Sequence, residues 1–173
     1  FSIYKSYGLN HVRFHSWCPP EAAFTAADRI GIYIQAEVLW IDWWMSVVRK
    51  ERPEMTTRGL PKGLGHNPSA DKFVPEELQR MIEAYGNHPS FTMLCIGNEL
   101  GNSNFDIMQQ WIKSLQEKDP RRLYAISTAR KIMPADQYMV THNIPQTGGT
   151  YGINGSGTDN DRESIYSKAT IPV

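Results

Sequence analysis

The feature that most limits the folds open to this chain is its alternation of short apolar strands with amphipathic helices, polar side chains gathering where the strands end. Leu9 to His15 runs on a two-residue period, with Val12 and Phe14 on one face and His11, Arg13 and His15 on the other. Pro19-Pro20-Glu21 opens a helical stretch containing Ala22, Ala23, Phe24 and Ala27, and Gly31 stops it. Ile32 to Val38 reads as the next strand: Ile32, Ile34, Ala36 and Val38 share a face, and Tyr33, Gln35 and Glu37 share the opposite one. Leu78, Met81, Ile82 and Tyr85 predict a helix from Pro75 to a stop at Gly86. A strand follows from His88 and ends on Gly97-Asn98-Glu99. Ser103 or Asn104 caps another helix, with Phe105, Met108, Ile112 and Leu115 as its stripe. Leu123 to Ser127 and Gln137 to His142 read as two more strands, and Ala169 to Val173 as the start of a further one.

Strand, helix, strand with right-handed crossovers implies a parallel sheet. Such a sheet closes in one of two ways, as a (β/α)8 barrel or as an open doubly wound sheet. Arg13, His15, Glu37, Glu99 and His142 cluster on one strand face near the C-terminal ends. In a barrel that face is the lumen, and that end carries the active-site rim. No Gly-rich phosphate loop follows the first strand, which weighs against a nucleotide-binding sheet. A barrel takes about 250 residues, and this chain has 173. The chain starts on Phe1 and reads as part of a longer protein. About two-thirds of a barrel would leave two sheet edges to be covered by the remainder of the same polypeptide.

Composition narrows the partners. Lys and Arg number 18, as do Asp and Glu, so no net field recruits nucleic acid or an anionic membrane. No apolar run is long enough to span a bilayer. Cys18 and Cys95 form neither a disulfide framework nor a metal-spacing motif. His11 and His15, four apart on a strand, lie about 13 Å from one another, too far to share an ion. No metal or cofactor is expected.

Glu99 is the foremost candidate for chemistry. A carboxyl at the end of a buried strand is partly desolvated and held rigid, conditions that suit a general acid. Glu37 has Arg13 as its natural partner, a pairing that would keep it ionised. Residues 39–72 form a long connection rich in Trp, Gly, Pro and charge, and loops of that length in a compact domain are usually functional. Trp40, just past the end of the second strand, is a candidate aromatic contact for a ligand. Trp17, Trp43 and Trp44 compete for the same role, while Trp111 lies on an amphipathic helix and reads as core. Cys95 reads as buried and inert.

Three ordered segments carry a resemblance. Residues 8–24, with Asn10-His11-Val12-Arg13-Phe14-His15 and then Trp17-Cys18-Pro19-Pro20, are similar to the second-strand signature of glycoside hydrolase family 2 barrels. Asp28-Arg29-Ile30-Gly31 to Glu37 resembles the third strand, and His88-Pro89-Ser90 to Gly97-Asn98-Glu99 the fourth. The resemblance implies a TIM barrel of the β-galactosidase and β-glucuronidase type, roughly strands 2 to 6 plus the start of strand 7, acting on a carbohydrate. It makes Glu99 the general acid/base and puts Asn98 on the sugar 2-hydroxyl. Arg13, His15, Glu37, Trp40 and His142 become substrate-site residues. The nucleophilic carboxylate of that family ends the seventh strand, so it is expected beyond Val173, and residues 1–173 alone are expected to be inactive.

Trp17-Cys18-Pro19-Pro20 departs from the Ser-His-Tyr-Pro form common in β-galactosidases. It also resembles family 106 α-L-rhamnosidases, which share the barrel but invert. Two further readings stand beside these: a sugar-binding barrel without catalysis, and a doubly wound domain in which Glu99 is incidental.

Overall fold

The computed structural model of the chain describes residues 1–42, 63–128, 131–138 and 140. The elements are α1 (Ser2–Ser6), β1 (His11–Arg13), α2 (Glu21–Ile30), β2 (Tyr33–Glu37), α3 (Pro68–Tyr85), β3 (Phe91–Asn98), α4 (Phe105–Lys118) and β4 (Leu123–Thr128). The four strands form one sheet in the order β1-β2-β3-β4, every neighbouring pair parallel. A doubly wound sheet reverses its strand order at a switch point. Here each strand simply joins the one before it, so the doubly wound reading is wrong and the sheet is part of a (β/α)8 barrel.

Local sequence explains the elements. Gly31 ends α2 in the left-handed region at φ 76°, and its N–H reaches the Ala27 carbonyl. Phe24 and Ala27, a turn apart, are fully buried under that helix. α3 starts at Pro68 rather than at Pro75. Asn67 caps it by accepting from Ala70 N, and the Asp71 carboxylate takes Gly65 N at 2.6 Å and Asn67 N at 3.1 Å. Pro75 sits inside the helix and gives up one ladder bond. Asn104 caps α4 through Asp106 N and Ile107 N. The short α1, which has no apolar stripe to announce it, is tied down by Tyr4 Oη donating to the His11 carbonyl at 2.5 Å.

The sheet is covered on both faces. Phe24, Leu78, Met108 and Ile112 pack on Ile34, Ala36, Leu94 and Ile126 to make the main core. On the other face Cys95, Ala125 and Tyr138 form a smaller cluster. Gln35 and Glu37 are buried there as well.

The strand predicted over Gln137 to His142 is not formed at Gln137 and Tyr138, which lie in a bend. One backbone bond to β4 is made, Gln137 N to the Tyr124 carbonyl at 2.9 Å, and side chains add to it. Asp136 accepts from Ile126 N and Met133 N, each at 2.7 Å, and the Gln137 amide accepts from Tyr124 N at 3.1 Å. His142, Trp43, Trp44 and the strand expected from Ala169 lie outside the described residues.

Candidate active site

Arg13 ends β1, Glu37 ends β2, Asn98 ends β3 and Thr128 ends β4. Parallel pairing brings these four C-terminal ends together. Arg13 Nε donates to Glu37 Oε1 at 2.6 Å and Arg13 Nη2 to Glu37 Oε2 at 3.2 Å, a two-pronged ion pair. The same Nη2 donates to Asn98 Oδ1 at 3.0 Å and contacts Thr128 Oγ1 at 3.1 Å. Thr128 Oγ1 in turn donates to Asn98 Oδ1.

Glu37 is fully buried and also takes Gln35 Nε2 at 3.3 Å. Burial pushes its carboxyl above the ordinary range. Arg13 pulls the other way without cancelling the shift. The expected pair is therefore present and pulls the carboxyl down as expected, while the loss of water, which the sequence does not disclose, makes the net shift upward. Glu37 serves as the anchor of Arg13.

Asn98 carries the network to the loop after β2. Its Nδ2 donates to Asp42 Oδ1 at 2.7 Å, and Asp42 Oδ2 lies 3.0 Å from His15 Nε2. Both lone pairs of the Asn98 carbonyl thus face donors, and one amide hydrogen faces a carboxylate. That pattern fixes which end of the amide is oxygen. One N–H of the amide is left to offer to a ligand oxygen, and His15 is half exposed beside it.

Glu99 follows Asn98 directly. It is partly buried and turns at φ 53°, uncommon for a residue with a Cβ. Its N–H donates to the Thr128 carbonyl at 3.0 Å, and its own carbonyl takes Gly101 N at 2.9 Å. The turn is therefore braced from β4 and from the loop beyond. Trp40 stands at the rim, 73% exposed, also at positive φ (65°), with its N–H on the Ser16 carbonyl.

Cys95 is buried, and burial raises its thiol well above the usual range, which matches its reading as inert. Trp111 packs partly buried against the core. Among the described residues no group of three or more His, Cys, Asp or Glu is arranged to hold a metal ion, and no helix is long and apolar enough to cross a membrane.

Two members of this network escaped the sequence reading. Asp42 falls after the alternation stops, amid tryptophans that drew the attention. Thr128 lies one residue past the predicted end of its strand. The signal available was the rule that polar residues at consecutive strand ends converge.

Residues 1–146 match the family model described as "Glycosyl hydrolases family 2, TIM barrel domain". A β-galactosidase of Leuconostoc mesenteroides subsp. mesenteroides is 27% identical over 120 residues, which cover 67% of this chain and 10% of that protein. The chain thus spans about a tenth of that curated relative. Among solved structures, a β-glucuronidase from an uncultured Clostridium species superposes with a TM-score of 0.62 at 18% identity, covering 82% of this chain and 24% of that one. The β-glucuronidase of Parabacteroides merdae does so with a TM-score of 0.55 at 21% identity, covering 72% and 15%. These structures share the fold, while the family model accounts for most of the sequence, and the chain belongs to the TIM barrel domain of glycosyl hydrolases family 2.

Proposed function

We propose that Glu99 is the general acid/base of a retaining β-glycosidase of β-galactosidase type, acting on a carbohydrate whose 2-hydroxyl is held by Asn98. Glu99 would protonate the leaving glycosidic oxygen, then take a proton from the water that releases the sugar. Arg13, His15 and Trp40 would line the sugar site, Glu37 would hold Arg13 from behind, and the family resemblance adds His142 as a substrate residue. The partner carboxylate would come from polypeptide outside residues 1–173. The observation that most supports this reading is the amide of Asn98, oriented by three partners immediately before the braced turn at Glu99. A solvated loop carboxyl has no such neighbour. The β-galactosidase type follows the name of the relative from Leuconostoc mesenteroides.

The test is Glu99→Gln in the protein that carries this chain. On an alkyl glycoside kcat is expected to fall by about 10²–10⁴-fold, the usual worth of a proton-transfer group. On an activated aryl glycoside, whose leaving group needs no proton, the first chemical step is expected to be nearly unaffected. An unchanged rate on the alkyl glycoside would remove the assignment. A product of opposite anomeric configuration, read by NMR, would replace retention with the inverting, rhamnosidase-like course. Binding with no turnover in the parent protein would leave only a sugar-binding barrel.

A further inference from the structure

We propose that Asp42 is a positioning residue that sets two sugar-facing groups at once, the amide of Asn98 and the imidazole of His15. The inference rests on the reading of Asn98 given above and extends it to a residue in the connection after β2.

The geometry is specific to a carboxylate. Oδ1 accepts from Asn98 Nδ2 at 2.7 Å and Oδ2 faces His15 Nε2 at 3.0 Å, so each oxygen serves a different partner from a different strand end. A carboxylate has no hydrogen to give. Both partners must therefore turn an N–H toward it. For Asn98 this places the carbonyl on Arg13 and Thr128 and leaves the second N–H as a donor for the sugar. For His15 it puts the proton on Nε2 and leaves Nδ1 as an acceptor while the ring is neutral. Asp42 thus determines which group of the site donates and which accepts.

The loop is fixed where this happens. Asn98 N donates to the Ile41 carbonyl at 3.0 Å, so the backbone next to Asp42 is tied to the same residue whose side chain it holds. Ile41 is buried in the core, and Asp42 itself is about one-fifth exposed. The side chain contributes by orientation, since it stands behind the groups that would meet the sugar.

The experiment is a double-mutant cycle in the protein that carries this chain, using Asp42→Ala, Asn98→Ala and both together. The substrates are an aryl glycoside and its 2-deoxy analogue. If Asp42 acts through Asn98, Asp42→Ala lowers kcat/KM on the parent glycoside by about 10–100-fold, the scale seen when the support of a site ligand is lost. It is then expected to do much less on the 2-deoxy sugar, and the double variant is expected to be little worse than Asn98→Ala. Losses that multiply, or that are equal on the two sugars, would overturn the proposal. Asp42→Asn can keep the Asn98 bond but must offer an N–H to His15, so it is expected to fall between wild type and Asp42→Ala. Should Asn98→Ala alone leave the parent glycoside unaffected, the reading of Asn98 fails, and Asp42 is then judged by the melting midpoints of the same four proteins. A midpoint shift from Asp42→Ala that is as large without Asn98 as with it would show that the two side chains are not coupled.

Discussion

Arg13 shows how one side chain can be legible in a sequence while its energetics are not. Alternation put Arg13 and Glu37 on the same face of adjacent strands, and their pairing is what the structure contains. What the sequence could not reveal was burial. Glu37 is fully enclosed, and that desolvation raises its carboxyl although Arg13 opposes it. Arg13 therefore compensates a buried acid, and its removal is expected to be costly. Arg13→Met would leave Glu37 without a cation, a loss of about 3–5 kcal/mol for a broken buried pair. Replacing both partners by apolar residues of similar size leaves no uncompensated charge. Arg13→Met/Glu37→Met is therefore expected to regain a measurable part of that loss in urea denaturation. A double variant less stable than the single one would mean that the pair contributes more than mutual compensation.

At the level of elements, strong periodicity was the reliable signal and its gaps were the unreliable part. α2, α4 and β3 follow stripes or apolar runs that stop at recognisable residues. α3 extends back to Pro68 because Asn67 and Asp71 cap it, a signal outweighed by the proline at position 75. The stretch from Gln137 looks like a strand because its residues alternate, yet beside one backbone bond from Gln137 N to the Tyr124 carbonyl, the side chains of Asp136 and Gln137 make the contacts to β4. Gly97 is the element-level feature whose reason only the fold discloses. A Cβ there would sit 2.1 Å from the Ile41 carbonyl oxygen, so the glycine lets the connection after β2 lie across the end of β3. That crossing delivers Asp42 to Asn98. Gly97→Ala is expected to push Ile41 away, with a loss of about 1–3 kcal/mol from overpacking. It is also expected to misplace the Asn98 network by enough to lower kcat/KM by about 10²-fold, as a displacement near 1 Å can. Wild-type kinetics in Gly97→Ala would show that the crossing does not set the site.

Across the whole molecule, the two ends of the sheet do different work. The C-terminal ends converge on Asn98, and the N-terminal ends are held by two carboxylate clusters. Asp28, on α2, takes His88 Nδ1 at 2.6 Å and Ser90 N at 2.9 Å. Asp119, closing α4, takes Arg121 Nε at 2.8 Å and Arg122 Nη1 at 2.6 Å. Arg122 reaches on to the Gly86 carbonyl at 2.8 Å and stacks over Phe91, so this one guanidinium joins α3, β3 and the turn into β4. The Asp28-x-x-Gly31 and His88-Pro89-Ser90 motifs are legible as family features, but only the fold shows that they meet as a staple away from the Asn98 cluster. Burial alone would raise the Asp28 carboxyl, yet hydrogen bonds from Ser90 and His88 outweigh it and hold it below its ordinary range. The Arg121 hydrogen bond, with Arg122 and against burial, holds Asp119 far lower still. A carboxyl lowered by folding contributes stability above its unfolded pKa of about 3.9 and loses it as pH falls toward the folded value. Glu37, raised by folding, has the opposite sign and gains from protonation. Acid is therefore expected to loosen the barrel from its N-terminal end while the Arg13 cluster resists. Denaturation midpoints measured from pH 6 down to pH 3 are expected to fall, and Asp119→Asn is expected to start lower and flatten that fall. Asp28→Asn is expected to do so more weakly, since its carboxyl is held less far down. An acid slope unchanged in both variants would place the pH sensitivity in other carboxyls and separate the staples from the acid response.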